Sequence, residues 1–298
     1  MKDLLISHVK DVDGVSPVIL MKLANRDFVY KLLDIYEVED YFNELLNTDL
    51  SIYENIYVVD LTVPEVIYEK LDKYKDKVKV FDHHESHMYA KDKDYVTLDI
   101  NECGTTLFYK YLDNLYNIAN ESVDTYIKAV KDLDLWTYKE NNNEYAKTIG
   151  TLFILYGKEI YIDEIFNHLK NNDLTLTEFE EKMIKLEYDR EKSYIEHKVE
   201  RMFKVKINNL KAGLVFAEKY RNELSDYMLN NFEIDFAIIV NSGGGISLIS
   251  RDDIDVEKIA RIYGGGGHKN SSGLPVTIDM QKEFIKILFE GCELIEDK

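Results

Sequence analysis

The fold is first indicated by one short segment, Val78-Lys79-Val80-Phe81-Asp82-His83-His84. Its first four residues are typical of a buried β-strand, and its last three are polar. Acidic and imidazole side chains at a strand end are costly to desolvate unless a partner compensates for their charge. Divalent cations are suitable partners, because Asp oxygen and imidazole nitrogen are ligands for Mn, Mg, Co or Zn. The segment therefore predicts a strand that ends in a metal site.

Further apolar runs typical of strands occupy residues 4–7, 56–60 and 95–100. Helical patterns separate these runs, which predicts an α/β domain with a mainly parallel sheet. In such sheets, ligands bind beyond the carboxyl ends of the strands. His8 and Asp60 lie at two of these ends, so we expect them to meet Asp82, His83 and His84 at one edge of the sheet.

The second half of the chain changes in character. Residues 176–203 are highly charged, lack Gly and Pro, and keep apolar residues at helical spacing, which predicts a long connecting helix. Strand-like runs return at residues 203–207, 212–216, 236–240 and 246–249. We therefore expect an N-terminal domain at 1–175, a connecting helix at 176–203, and a smaller C-terminal α/β domain at 204–298.

Charge and cysteine content restrict the function. The formal net charge of −19 argues against a long track for duplex DNA, which needs many Lys and Arg side chains, and favours a short phosphorylated substrate. Cys103 and Cys292 form neither a zinc spacing nor a disulfide framework, so we expect a reducing, cytoplasmic location. No apolar run suits a signal peptide or reaches the roughly 20 residues of a membrane span, so no membrane partner is expected.

Two motifs near strand ends allow more than one interpretation. Asp11 and Asp13 precede Gly14 and follow His8, so they could bind two neighbouring ions, although Asp-x-Asp-Gly is also a common turn. Asp60 could bridge two metals or could cap the segment that follows it. The residues alone leave both alternatives open.

Three further features bear on the site. Either Asp132 or Asp134, at the end of a helical pattern, could complete a metal's coordination, and we favour Asp132 with Asp134 in support. Solvated acids at a helix end are the alternative. Four glycines at residues 264–267 precede His268 and Lys269, which predicts an anion-binding loop rather than a flexible hinge. His87 is interpreted as a surface residue.

In this order, the motifs resemble those of the DHH phosphoesterases with a DHH-associated (DHHA1) C-terminal domain. This family includes oligoribonucleases (nano-RNases), cyclic- and linear-dinucleotide phosphodiesterases and RecJ-type exonucleases. The resemblance implies a DHH catalytic domain at 1–175, a DHHA1-like substrate-binding domain at 204–298, and two manganese-type ions, with Mg or Co as alternatives. The implied ligands are His8, Asp11 and Asp60 for one ion, and Asp13, Asp60, His83 and Asp132 for the other.

The resemblance also implies roles for residues outside the metal shell. His84 would lie near the scissile phosphate, and Asp82 would orient the histidines. The implied clamp on the distal end of the substrate consists of Ser247, Arg251, Gly265, Gly266, Gly267 and His268. One departure is that His8 precedes Asp11 by a spacing intermediate between the family's two usual patterns.

These features predict a metal-dependent phosphodiesterase that hydrolyses short oligonucleotides or dinucleotides to nucleoside monophosphates by two-metal hydroxide attack. Within the same chemistry, a cyclic- or linear-dinucleotide phosphodiesterase and a single-strand exonuclease stay open. The glycine-rich clamp argues against an inorganic pyrophosphatase, which is another alternative within enzymes. A catalytically inert nucleotide-sensing module is an alternative from another class, and a homodimer is compatible with the sequence.

Overall fold

Five parallel strands form the first sheet of this computed structural model, which describes residues 1–207, 209–241, 243–251 and 254–288. The strands are β1 (Lys2–His8), β2 (Phe28–Leu33), β3 (Tyr53–Val59), β4 (Val78–Asp82) and β5 (Val96–Leu98). The helices around them are α1 (Val12–Leu23), α2 (Val38–Leu45), α3 (Glu65–Leu71), α4 (Gly104–Tyr116), α5 (Glu121–Asp134), α6 (Glu144–Lys170) and α7 (Glu178–Val199). The strand order is β2-β1-β3-β4-β5, which confirms the predicted α/β class.

Apolar side chains cover both faces of this sheet. On one face, the rings of Tyr57 and Phe81 lie 5.2 and 5.3 Å from the ring of Phe108 in α4. On the other face, Phe42 of α2 and Ile67 of α3 belong to one buried cluster with the strand residues. A parallel sheet that is buried on both faces needs nearly continuous apolar strands, which explains the runs in the sequence.

Two elements differ from the sequence predictions. The sequence did not predict β2, because this edge strand has two exposed residues, Tyr30 and Lys31, and therefore lacks a continuous apolar run. The sequence also did not predict the interruption of helix α6 at Gly157, whose φ of 68° and ψ of 163° are not helical. Glycine tolerates this conformation because it has no Cβ.

The chain divides into two units, Met1–Lys185 and Leu186–Lys298, at a point inside α7. The second unit contains β6 (Phe203–Ile207), β7 (Leu210–Phe216), β8 (Phe236–Asn241), β9 (Gly245–Ser250), β10 (Gly266–His268) and β11 (Ser271–Leu274). Its helices are α8 (Arg221–Asn231), α9 (Val256–Ile262) and α10 (Ile278–Leu288). The strand order is β10-β11-β9-β8-β7-β6, and only β7 and β8 pair in parallel. Among the described helices, none has the length and apolar character to span a membrane.

Helix α4 begins in close contact with the end of β3, and this contact gives a test of the packing. A Cβ added at Gly104 would lie 2.7 Å from the Cβ of Asp60, so we expect Gly104→Ala to lower the free energy of unfolding. The expected loss is about 1–3 kcal/mol, measured by urea denaturation.

Gly150→Ala in α6 is the matched control. Its added Cβ would meet the side chain of Leu133, whose nearest methyl lies at 3.0 Å, and no backbone atom is among these neighbours. We expect a smaller change than for Gly104→Ala. Equal stabilities of Gly104→Ala and the unmodified protein would contradict the close approach of α4 to Asp60.

Candidate metal centre

Three neighbouring strand ends carry the candidate ligands. His8 is the last residue of β1, Asp60 directly follows β3, and His83 directly follows β4. Because β1, β3 and β4 are adjacent and parallel, these residues share one edge of the sheet. Asp13 in α1 and Asp134 at the end of α5 reach the same edge, since both carboxylates lie within 4 Å of the His83 ring.

Asp60 lies at the centre of this edge, and its side chain is 3% exposed. Its Oδ2 lies 3.6 Å from Nδ1 of His8, and its Oδ1 lies 3.4 Å from Nε2 of His83. The backbone of Asp60 has a φ of 54°, in the left-handed region that few non-glycine residues adopt. Its N–H donates to the carbonyl oxygen of Phe81 over 2.9 Å, which fixes this conformation against β4. The two carboxylate oxygens thus face two different imidazoles, as a shared ligand would require.

Asp13 is buried and is held by the start of α4. The backbone N–H groups of Gly104 and Thr105 each donate to its carboxylate over 2.8 Å. The hydroxyl of Thr105 also donates to the backbone carbonyl of Asp13 over 2.6 Å. Free N–H groups and the helix dipole at a helix N-terminus stabilise an anion, so α4 fixes the position of Asp13. Its Oδ2 lies 3.9 Å from Nε2 of His83.

Asp11 has two contacts. Its Oδ1 accepts a hydrogen bond of 2.8 Å from the N–H of Gly14 and thereby caps α1. Its Oδ2 lies 3.1 Å from Nδ1 of His8. Asp11 is therefore the N-cap of α1, and it also lies beside His8 despite the intermediate spacing of the two residues.

The structure places Asp134 where Asp132 was expected. Asp134 Oδ2 lies 3.5 Å from Nε2 of His83. Asp132 instead accepts hydrogen bonds of 2.7 Å from the side-chain amides of Asn141 and Asn143, and it holds the turn that follows α5. Residues two positions apart on a helix point in directions that differ by roughly 200°. The sequence signal for this arrangement was the asparagine-rich segment, whose amides are suitable donors to Asp132.

Asp82 supports the two histidines that follow it. Its Oδ1 accepts a 2.8 Å hydrogen bond from the backbone N–H of His83 and lies 2.7 Å from Nδ1 of His84. Its Oδ2 lies 2.5 Å from Nδ1 of His87. His87 is fully buried, so its interpretation as a surface residue was wrong. The short 3₁₀ helix Glu85–Ala90 turns this side chain inward.

The electrostatics of the cluster favour cation binding. Burial and repulsion from Asp60 raise the pKa of Asp13 to about 7. Burial, together with the charge of Asp13, also raises the pKa of Asp134 well above its usual range. Burial alone would lower the pKa of His8 and of His83, but hydrogen bonds to carboxylates outweigh this and raise both to about 10. Some of the crowded acids are therefore protonated, and others are paired with charged imidazoles. Divalent cations would displace these protons.

The acidic and histidine side chains at this edge could hold metal ions. In each of three groups, the candidate ligand atoms lie within 4.8 Å of one another. The groups are His8, Asp11 and Asp60; Asp13, His83 and Asp134; and Asp60, Asp82, His83 and His84. Carboxylate oxygen with imidazole nitrogen is a donor set for Mn, Mg, Co or Zn.

The predicted substrate clamp lies in the second unit. Ser247 is a residue of β9, and Arg251 directly follows that strand. The Arg251 side chain is 47% exposed, and its Nη2 lies 3.3 Å from Oδ1 of Asp226. The guanidinium of Arg251 therefore lies at the end of β9, close to the carboxylate of Asp226.

The glycine-rich segment forms an edge strand in the same unit. The N–H of Gly265 donates to the carbonyl oxygen of Ala260 over 2.9 Å. In the structure, this N–H therefore stabilises the end of α9. Gly266 and Gly267 belong to β10, which pairs with β11 on one side and has no strand neighbour on the other within the described residues. The side chain of His268 lies outside the described part of the structure.

Two curated proteins are similar to this chain in sequence. No family model matches the chain. The chain is 28% identical to oligoribonuclease NrnB of Bacillus subtilis over 96% of its length and 75% of that protein. It is 22% identical to a 3',5'-cyclic-nucleotide phosphodiesterase of Helicobacter pylori, covering 90% of this chain and 91% of that protein.

Two solved structures share the fold. One is a pGpG-specific phosphodiesterase from Vibrio cholerae, with a TM-score of 0.55 and 14% identity over 97% of both chains. The other is an exopolyphosphatase-related protein from Bacteroides fragilis, with a TM-score of 0.50, 18% identity, and coverage of 96% of this chain and 91% of that one. The motifs, the fold and the curated relatives together support a DHH-type phosphoesterase.

The two acids at the end of α5 are expected to respond differently to substitution. Asp134→Ala should lower Mn²⁺ affinity at least about 10-fold with little loss of stability, because this carboxylate faces His83. Asp132→Ala should lower the free energy of unfolding by about 1–3 kcal/mol, because it leaves two amides without their acceptor. Titration calorimetry and urea denaturation measure these effects, and the reverse pattern would restore Asp132 as the ligand.

Cation affinity should depend on pH. His8 and His83, with pKa values of about 10, and Asp13, with a pKa of about 7, are protonated to a large extent at neutral pH. Metal binding must displace these protons, so Mn²⁺ affinity should rise from pH 6 to pH 9. Calorimetry in buffers of different ionisation enthalpy should show more than one proton released at pH 7. An affinity independent of pH, with no proton release, would contradict this account.

Proposed function

We propose that the protein is a metal-dependent phosphodiesterase that hydrolyses short oligonucleotides or dinucleotides to nucleoside monophosphates. The main support is the position of Asp60, which lies between two groups of metal-type ligands. The relatives are named as an oligoribonuclease and a cyclic-nucleotide phosphodiesterase, which supports the substrate class. The net charge of −19 favours a short substrate over duplex DNA.

The proposed cofactor is a pair of divalent ions, with manganese preferred. His8, Asp11 and Asp60 would hold one ion, and Asp13, Asp60, His83 and Asp134 would hold the other. When bound, such a pair supplies a water of lowered pKa and Lewis acidity toward the phosphate oxygens.

His84 is proposed to act on the substrate directly. Burial would lower the pKa of His84, but its hydrogen bond to Asp82 outweighs this and raises the pKa to about 9. The ring therefore carries a proton at neutral pH. In the reaction, Nε2–H of this ring would donate a hydrogen bond to a phosphate oxygen and help to offset the negative charge that develops there. Asp82 would keep the ring in this orientation through Nδ1.

The second unit is proposed to bind the distal end of the substrate. Arg251 offers a guanidinium suited to a phosphate, and Ser247 lies on the strand before it. The outer side of β10 offers backbone groups to the substrate, and the resemblance places Gly265, Gly266, Gly267 and His268 in the clamp. A grip on one end of a short nucleotide would select which phosphodiester bond is cleaved.

A substrate panel tests the proposal. We expect Mn²⁺-dependent release of nucleoside monophosphates from di- to pentanucleotides, measured by chromatography. Asp60→Asn should lower kcat at least about 100-fold with every substrate, because it removes the charge of the shared ligand. Arg251→Ala should raise KM about 10-fold with kcat nearly unchanged, which matches the loss of one charge-assisted hydrogen bond.

The same panel separates the alternative functions. Cyclic dinucleotides and pyrophosphate are included beside the linear substrates. Phosphate release from pyrophosphate alone would replace the proposal with a pyrophosphatase. Nucleotide binding without turnover, in protein shown to contain metal, would favour a sensing module.

A further inference from the structure

A row of buried polar groups lies behind Asp82. The hydroxyl of Tyr68 lies 2.6 Å from Nε2 of His87. The other nitrogen of this ring, Nδ1, lies 2.5 Å from Oδ2 of Asp82. Oδ1 of Asp82 in turn lies 2.7 Å from Nδ1 of His84. Tyr68, His87 and Asp82 are each at most 1% exposed, so water does not compete for these hydrogen bonds.

The direction of each hydrogen bond follows from the groups involved. Burial raises the pKa of the Tyr68 phenol, so its O–H stays protonated and donates to Nε2 of His87. Because Nε2 of His87 accepts this hydrogen bond, the ring carries a proton on Nδ1 and donates it to Asp82. Both carboxylate oxygens of Asp82 are thereby engaged, one by His87 and the other by His84 and the N–H of His83. Rotation of this carboxylate would break hydrogen bonds on both sides.

We propose that His87 and Tyr68 are positioning residues, which fix the Asp82 carboxylate so that it holds the ring of His84 in one orientation. This inference rests on the proposed function, since it is the orientation of His84 toward a phosphate that the row would serve. Neither residue is placed among the metal ligands.

Packing alone does not explain the chemistry of this row. The His87 ring packs against the rings of Tyr68 and Tyr89, with centroid distances of 5.6 and 5.5 Å. An apolar side chain would fill this space without the cost of desolvating two ring nitrogens. Both nitrogens are instead used, and the row that they form ends at His84.

Three variants separate positioning from packing. His87→Leu removes both polar contacts, His87→Asn keeps a donor near the place of Nδ1, and Tyr68→Phe removes only the hydroxyl. With a dinucleotide and Mn²⁺, we expect His87→Leu to lower kcat about 10- to 100-fold with KM nearly unchanged. His87→Asn should recover most of this loss. Tyr68→Phe should lower kcat about 2- to 10-fold, as expected for one neutral hydrogen bond.

Two further measurements do not depend on turnover. In ¹⁵N-labelled, metal-free protein, the Nδ1 proton of His84 should give a hydrogen-bonded resonance that is retained in His87→Asn and broadened or lost in His87→Leu. Mn²⁺ affinity should be the same in all three variants, because the proposed ligands are unchanged.

The inference would be overturned if His87→Leu kept normal kcat and an unchanged His84 resonance. It would also be overturned if kcat and Mn²⁺ affinity fell in parallel, which would indicate general damage to the site. Failure of the unmodified protein to hydrolyse any nucleotide would instead reject the proposed function. The resonance of His84 would still decide whether His87 and Tyr68 position it.

Discussion

Repulsion between buried carboxylates is the constraint around which the edge of the first sheet is organised. Asp13, Asp60 and Asp134 lie around a single imidazole, that of His83. Asp13 and Asp60 are buried. Burial and repulsion raise the pKa of Asp13, whereas for Asp60 the effect of burial is outweighed by the hydrogen bonds from His8 and His83, which lower the pKa. Imidazoles relieve part of this repulsion, and a pair of divalent cations would relieve more of it. The site is therefore unfavourable as a core and well suited to metal chemistry.

The fold holds these acids in place through its backbone. The start of α4 donates two N–H groups to Asp13, and its first residue, Gly104, leaves room for Asp60. Asp60 itself is fixed in a left-handed conformation by a hydrogen bond to Phe81 of β4. Backbone contacts of this kind keep charged side chains together when their own repulsion would separate them. Folding thus brings the candidate cation ligands together before any cation binds.

Local patterns were sufficient to predict the class of the fold and the strand ends that carry the candidate ligands. Apolar runs and the residues that follow them fix which strand ends carry His8, Asp60 and His83, and a parallel sheet brings those ends together. The edge strand β2 was missed because its exposed residues interrupt the apolar pattern.

Other features depend on tertiary structure. The choice between Asp132 and Asp134 depends on the rotational phase of α5, and the burial of His87 depends on how a short 3₁₀ helix packs. The most direct test of the account is diffraction from Mn²⁺-soaked crystals near the manganese absorption edge. We expect two anomalous peaks about 3.5–4 Å apart, with the Asp60 carboxylate contacting both. A single peak, or peaks away from Asp60, would contradict the central claim.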